Sequence, residues 1–319
     1  MRRLLPYILP FLLGLVVELR AQVPPKPLGV EPTAEMIALG RELFFDPILS
    51  ADGTVSCATC HDPAKGWADG LPVAVGIRGQ AGAINSPTIL NAAHSMQQFR
   101  NGRTLGTATQ ALLPLENPIE MGGPGNEAAA VRRLAASPKY IRAFASSFGS
   151  APTAQGVGLA IAAFETTIAT TDTLANRRAA GERVLSPDAE VGYQLFVGRA
   201  GCVRCHTPPL WTDRGFHNNG VMHGRTTGDQ GRSDVTRRRS DRRKWKTPSL
   251  IGLSKTAPYM HDGSLPTIRS VLEHYNRGGA RNGRVDANTE IVPLGLTDTQ
   301  VDYLARFLEE AFEPHVWPK

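Results

Sequence analysis

The sequence predicts a mainly α-helical chain with long irregular loops, and three observations carry that expectation. Several segments set apolar residues at helical spacing behind recognisable start signals. The stretches between them are rich in Gly, Pro and Asn. A pentapeptide of the form C-x-x-C-H occurs twice, each time soon after such a helix.

The pentapeptides are Cys57-Ala-Thr-Cys60-His61 and Cys202-Val-Arg-Cys205-His206, and they contain the only four cysteines in the 319 residues. This is the attachment pattern of c-type haem. Two thiols three positions apart can form thioethers to the vinyl groups on one porphyrin edge. The histidine that follows directly is then placed to ligate the iron. A redox dithiol or a zinc site is the alternative for a lone C-x-x-C, but the paired cysteines of a zinc knot usually lie much closer in sequence. Two covalent haems would supply much of the apolar surface that a sheet otherwise provides.

Taken in order, Arg2 and Arg3 precede an apolar run from Leu4 to Val17, with Ala21 as a cleavage position. That pattern reads as a signal peptide over residues 1–21 and export to the periplasm, where c-type haem is normally attached. An uncleaved anchor is the lesser reading, because the run is short for a span. A helix is expected to begin near Pro32, run through Met36, Leu39, Leu43 and Phe44, and stop before Pro47. Leu159, Ile161 and Phe164 mark another. Ser186-Pro187 is a cap followed by a first-turn proline, leading through Val191, Leu195 and Phe196 towards Cys202. Thr297-x-x-Gln300 is a capping box ahead of an apolar face at Val301, Leu304, Phe307, Leu308 and Ala311. Gly40-x-x-Leu43-Phe44 and Gly192-x-x-Leu195-Phe196 look like one element used twice. They suggest an N-terminal haem domain over 22–180 and a C-terminal one over 181–319, divided in the polar stretch from Asn176 to Ser186.

The net charge of +6 owes much to the block from Arg237 to Lys246. In an exported haem protein this reads as a solvated loop, a docking surface for an acidic redox partner or a contact to haem propionates, and not as a nucleic-acid site.

With both motifs placed, the surrounding residues resemble the bacterial dihaem cytochrome c peroxidase and MauG family. The matching stretches are Asn85-Ser-Pro-Thr-Ile-Leu-Asn91, Asn117-Pro-Ile-Glu120-Met121, Lys246-Thr-Pro-Ser-Leu250 and Thr256-Ala-Pro258-Tyr-Met-His-Asp-Gly263. The resemblance implies two cytochrome-c-like domains, a haem in each and a calcium ion between them. One haem would react with hydrogen peroxide while the other relays electrons from a small redox protein such as a cytochrome c or cupredoxin. It assigns Glu120 as the acid–base group and Gln110 as the residue orienting peroxide, with Pro114 beside them. It assigns Asn85 and the carbonyls of Thr256 and Pro258 to calcium. Tyr275 matches the sixth-ligand position of the second haem, where ordinary peroxidases use methionine and MauG uses tyrosine. Met260, His223 and His274 compete with it.

Two departures stand out. No histidine occurs between His61 and His94, so the first haem lacks the displaceable ligand of many family peroxidases and should be open. Arg100 stands where the family has an inter-haem tryptophan; Phe99 or Trp67 could substitute, and Arg100 could pair with propionates. The leading expectation is a peroxidase. The alternatives are a MauG-like enzyme that oxidises residues of a partner protein, and a dihaem electron carrier without catalysis.

Overall fold

The computed structural model describes residues 31–221, 230–279 and 289–318. The expected signal segment at residues 1–21 and His223 lie outside the described residues. Among those described, no helix is long and apolar enough to cross a membrane.

The helices that frame the fold are α1 (Ala34–Phe45), α2 (Thr107–Leu112), α3 (Asn126–Ala135), α4 (Pro138–Phe148), α5 (Ala154–Glu165), α6 (Leu174–Ala179), α7 (Pro187–Val197), α8 (Ile268–Asn276) and α9 (Asp298–Ala311). The start of α1 falls slightly later than expected, because Thr33 and not Pro32 supplies the cap. The Thr33 side chain accepts from the Met36 N–H at 3.2 Å. Ser186 caps α7 as expected, and Thr297 with Gln300 forms the reciprocal capping box of α9. The strands are two-residue pairs: β1 (Gln97–Gln98) with β2 (Thr104–Leu105), and β3 (Phe216–His217) with β4 (Trp245–Lys246), both antiparallel.

The repeated Gly-x-x-Leu-Phe element has a packing cause. Helix α1 crosses α5, and α7 crosses α9, each at a glycine. A Cβ on Gly40 would lie 1.8 Å from the Ala160 carbonyl oxygen, and one on Gly192 would lie 2.1 Å from that of Tyr303. Only glycine lets the backbones approach this closely. The aromatic residue of each element then starts a cluster. Phe44 meets Phe164 edge-on at 5.3 Å and Trp67 at 5.9 Å. Phe196 meets Phe307 at 5.4 Å and Trp211 at 5.8 Å in the same manner. Trp67 and Trp211 are fully buried.

Backbone oxygen cannot rotate away as a side chain can, so Gly40→Ala must push α1 off α5. We expect it to cost about 1–3 kcal/mol, read as a lower urea midpoint of the haem-loaded protein. An unchanged midpoint would mean that the crossing tolerates a wider separation.

Candidate haem sites and the junction between them

Each pentapeptide histidine is held by a buried tryptophan's backbone. His61 Nδ1 lies 3.3 Å from the Trp67 carbonyl oxygen, and His206 Nδ1 lies 3.0 Å from that of Trp211. A carbonyl can only accept, so Nδ1 carries the proton and Nε2 is left as the lone-pair donor. Burial lowers both imidazole pKa values, which keeps the rings neutral, as iron ligation requires. Both tryptophans take a left-handed backbone conformation, φ 63° and 53°, which turns these carbonyls toward the histidines.

Cys57 and Cys202 open short helical turns that Cys60 and Cys205 close, and the cysteines form no disulfide. Burial pushes the Cys57 and Cys202 thiols up to about 12 and Cys60 to about 11. That is the reverse of a redox dithiol, whose reactive thiol is lowered. Cys205, Asp213 and His217 have ligand atoms within 4.8 Å of one another. His217, however, already uses Nε2 on Asp213 at 2.8 Å and Nδ1 on Glu290 at 2.6 Å. The buried Trp67 Nε1 and Arg214 Nε have no hydrogen-bond partner. Stranded donors beside the two motifs suit a cofactor carrying carboxylates. The residues therefore fit covalent haem at each motif.

Glu120 sits beside the first motif, close enough that its charge acts on Cys60. Asn117 Nδ2 donates to Glu120 Oε1 at 2.7 Å, and the Asn117 side-chain oxygen accepts from the Ile119 N–H at 2.9 Å, fixing the turn. Burial raises the Glu120 pKa despite the opposing effects of Arg103 and Asn117. Gln110 lies on α2, whose Thr107 and Ala111 are buried as it packs on α5. Its side chain is partly buried and makes no hydrogen bond to Glu120.

Near the second motif, Tyr275 on α8 stands close enough to the Asn219 side chain, Cys202 and Cys205 to feel their influence. Burial pushes its hydroxyl up to about 12. Its competitors are engaged elsewhere. His274 Nε2 lies 2.7 Å from the Asn219 carbonyl oxygen, and the Met260 sulfur accepts from Asn219 Nδ2 at 3.3 Å.

Between the motifs lies a junction that the sequence did not reveal. The stretches Asn85-Ser86-Pro87-Thr88 and Lys246-Thr247-Pro248-Ser249 play equivalent parts, since the Pro87 backbone interacts with His61 and that of Pro248 with His206. Arg100 spans from one to the other. Its Nη2 donates to Asn85 Oδ1 at 2.5 Å and its Nε to the Asn85 backbone oxygen at 3.0 Å. Its own carbonyl accepts from the Lys246 N–H at 2.8 Å. The Lys246 ammonium turns inward to the Gln97 carbonyl at 2.6 Å, and burial lowers its pKa to about 8. Trp245 stacks on His261 with ring centroids 4.2 Å apart, and the His261 carbonyl accepts from the Asn85 N–H at 2.9 Å. Trp245 and Lys246 thus leave the expected solvated block, whose Arg237, Arg238, Arg239 and Arg242 remain exposed. Of the substitutes expected for the missing tryptophan, Trp67 belongs to the Phe44 cluster and Phe99 lies under the Arg103 guanidinium at 3.3 Å.

Of the expected calcium ligands, Asn85 is already engaged by a cation of the chain itself. Both Asn85 oxygens already accept from a guanidinium, and two cations cannot share one pair of oxygens in a buried site. Thr256 and Pro258 lie in the loop that leads into His261.

Paired helices crossing at glycine, the first helix of each pair followed by a C-x-x-C-H turn with its histidine held for ligation, define a haem c protein. Comparison with known proteins agrees. Residues 34–184 match the family model for di-haem cytochrome c peroxidase, and residues 245–280 match a RoxA-like, cytochrome c-like model. The chain is 38% identical to methylamine utilization protein MauG of Methylorubrum extorquens, covering 91% of this chain and 82% of that protein. It is 37% identical to cytochrome c551 peroxidase of Nitrosomonas europaea, covering 76% and 73%. The crystal structure of a MauG-like protein associated with microbial copper homeostasis superposes with a TM-score of 0.84 at 30% identity, over 92% of this chain and 94% of that one. The chain belongs to the dihaem cytochrome c peroxidase and MauG family, a family of haem c oxidoreductases.

Proposed function

We propose that the chain is a periplasmic dihaem peroxidase that reduces hydrogen peroxide to water with electrons from a small redox protein. The observation that carries this reading is Glu120: a partly buried carboxyl with a raised pKa, oriented by Asn117 beside the first motif. Cys57, Cys60 and His61 would hold one haem in an N-terminal domain over 22–180. Cys202, Cys205, His206 and Tyr275 would hold the other in a C-terminal domain over 181–319. Haem bound at His61 supplies an iron centre able to exchange electrons with peroxide.

Glu120 takes the proton from the nearer peroxide oxygen and returns it to the departing one, so that oxygen leaves as water. Gln110 orients the incoming peroxide from α2. The His61–Trp67 contact keeps the imidazole in the ligating tautomer throughout. Each turnover consumes one peroxide, two electrons and two protons and yields two waters. The exposed arginines at 237–239 and 242 suit an acidic donor protein.

The test is steady-state peroxidase activity with a reduced small cytochrome c as donor. Donor oxidation that follows added peroxide supports the reading, and donor oxidation independent of peroxide overturns it. Acting as base, Glu120 must be ionised, so the rate should rise with pH through a pKa above the ordinary 4.5. That acid limb should vanish in Glu120→Gln. A second reading, MauG-like oxidation of residues on a partner protein, is favoured by Tyr275 and opposed by Arg100.

A further inference from the structure

We propose that Arg100 replaces the calcium ion of this family with a cation built into the chain, so that the junction between the two haem sites is independent of calcium. The inference rests on the family assignment and not on the peroxidase reading.

The junction has the chemistry of a cation site. Asn85 is buried, with its Nδ2 fixed on the Leu71 carbonyl at 2.8 Å and its N–H on the His261 carbonyl at 2.9 Å. Those two bonds orient the residue and leave its side-chain Oδ1 and its backbone oxygen directed at one guanidinium. Two buried carboxylates lie near enough to act on whatever stands there, Asp69 at 3% exposure and Asp262 at 1%. Asp69 is itself fixed, accepting from the Leu71 N–H at 2.8 Å and the Ser86 hydroxyl at 2.5 Å. Inward carbonyls and buried acids together require a positive charge.

Arg100 brings that charge on a covalent tether. Its Nε and Nη2 engage both Asn85 oxygens at once, a two-point grip that a planar guanidinium makes and an ammonium does not. A guanidinium stays charged at neutral pH, and Asp262 and Asp69 stand near enough to favour that charge. A calcium ion needs six to eight oxygens, and here both oxygens of Asn85 are already taken. The residue that departs from the family at the tryptophan position is therefore the one that removes the need for the ion.

The experiment uses the protein with both haems attached. Its calcium content is measured by elemental analysis before and after EGTA dialysis, and calcium is then titrated back by calorimetry. The wild type should carry no stoichiometric calcium, and its haem spectrum and melting temperature should not respond to EGTA. Arg100→Met, which keeps the volume and removes the donors, should bind about one calcium per chain and lose melting temperature on chelation. Adding Asn85→Leu to that variant should abolish the binding. One tight calcium in the wild type overturns the proposal, and that measurement needs no variant to fold. Absence of binding in both proteins also overturns it, because the Asn85 oxygens would then be no cation site.

Discussion

Glu120→Gln should lower kcat/KM for peroxide by about 10²–10⁴-fold while leaving both haem absorption bands in place. The amide keeps the size of the carboxyl and can still meet Asn117, whose Nδ2 donates at 2.7 Å. What it loses is the ability to take a proton and give it back. The carboxyl is suited to that exchange because burial raises its pKa toward the working range, against the pull of Arg103 and Asn117. A variant with normal turnover would remove Glu120 from the chemistry. Gln110→Ala should act more weakly, since the role proposed for Gln110 is to orient peroxide and an amide does not transfer protons.

Tyr275→Phe should shift the spectrum of the second haem and raise its reduction potential by on the order of 100 mV. An anionic phenolate favours the ferric state, and removing it favours ferrous iron. The free hydroxyl resists ionisation, pushed up to about 12 by burial, so it would become an anionic ligand only through the metal's own charge. Redox titration of the two bands reads the effect. If the potential and ferric spectrum stay unchanged, the ligand is one of the competitors, Met260 or His274, despite their contacts with Asn219.

The fold was legible where local chemistry sets it. Thr297 with Gln300 announced α9, and Ser186-Pro187 announced α7, because a cap depends on a few neighbouring residues. The repeated Gly-x-x-Leu-Phe pattern was visible, but its cause was not. Gly40 and Gly192 are explained by carbonyls of Ala160 and Tyr303, more than a hundred residues away in each case. The two C-x-x-C-H motifs could be read from the sequence alone. The carbonyls of Trp67 and Trp211 that orient the histidines could not, because backbone contacts leave no side-chain signature. Arg100 could be seen as a departure, yet the partner it finds, Asn85, comes from a separate loop. In the sequence Trp245 belongs to a basic run with the pattern of a solvated loop, and only tertiary structure shows it turned inward onto His261. A signal was present: Lys246-Thr-Pro-Ser repeats the pattern of Asn85-Ser-Pro-Thr, so residues next to the second copy were candidates for the junction.

The measurement that tests the central claim most directly is stoichiometric hydrogen peroxide added to the fully oxidised protein, with both haem absorption bands followed by stopped flow. The account predicts a fast change without prior reduction, because no histidine lies between His61 and His94 to block the first site and Glu120 is already in place beside it. The change should be slowed in Glu120→Gln. A protein that reacts only after one haem is reduced would contradict the open first site, and one silent in both states would be an electron carrier and no peroxidase.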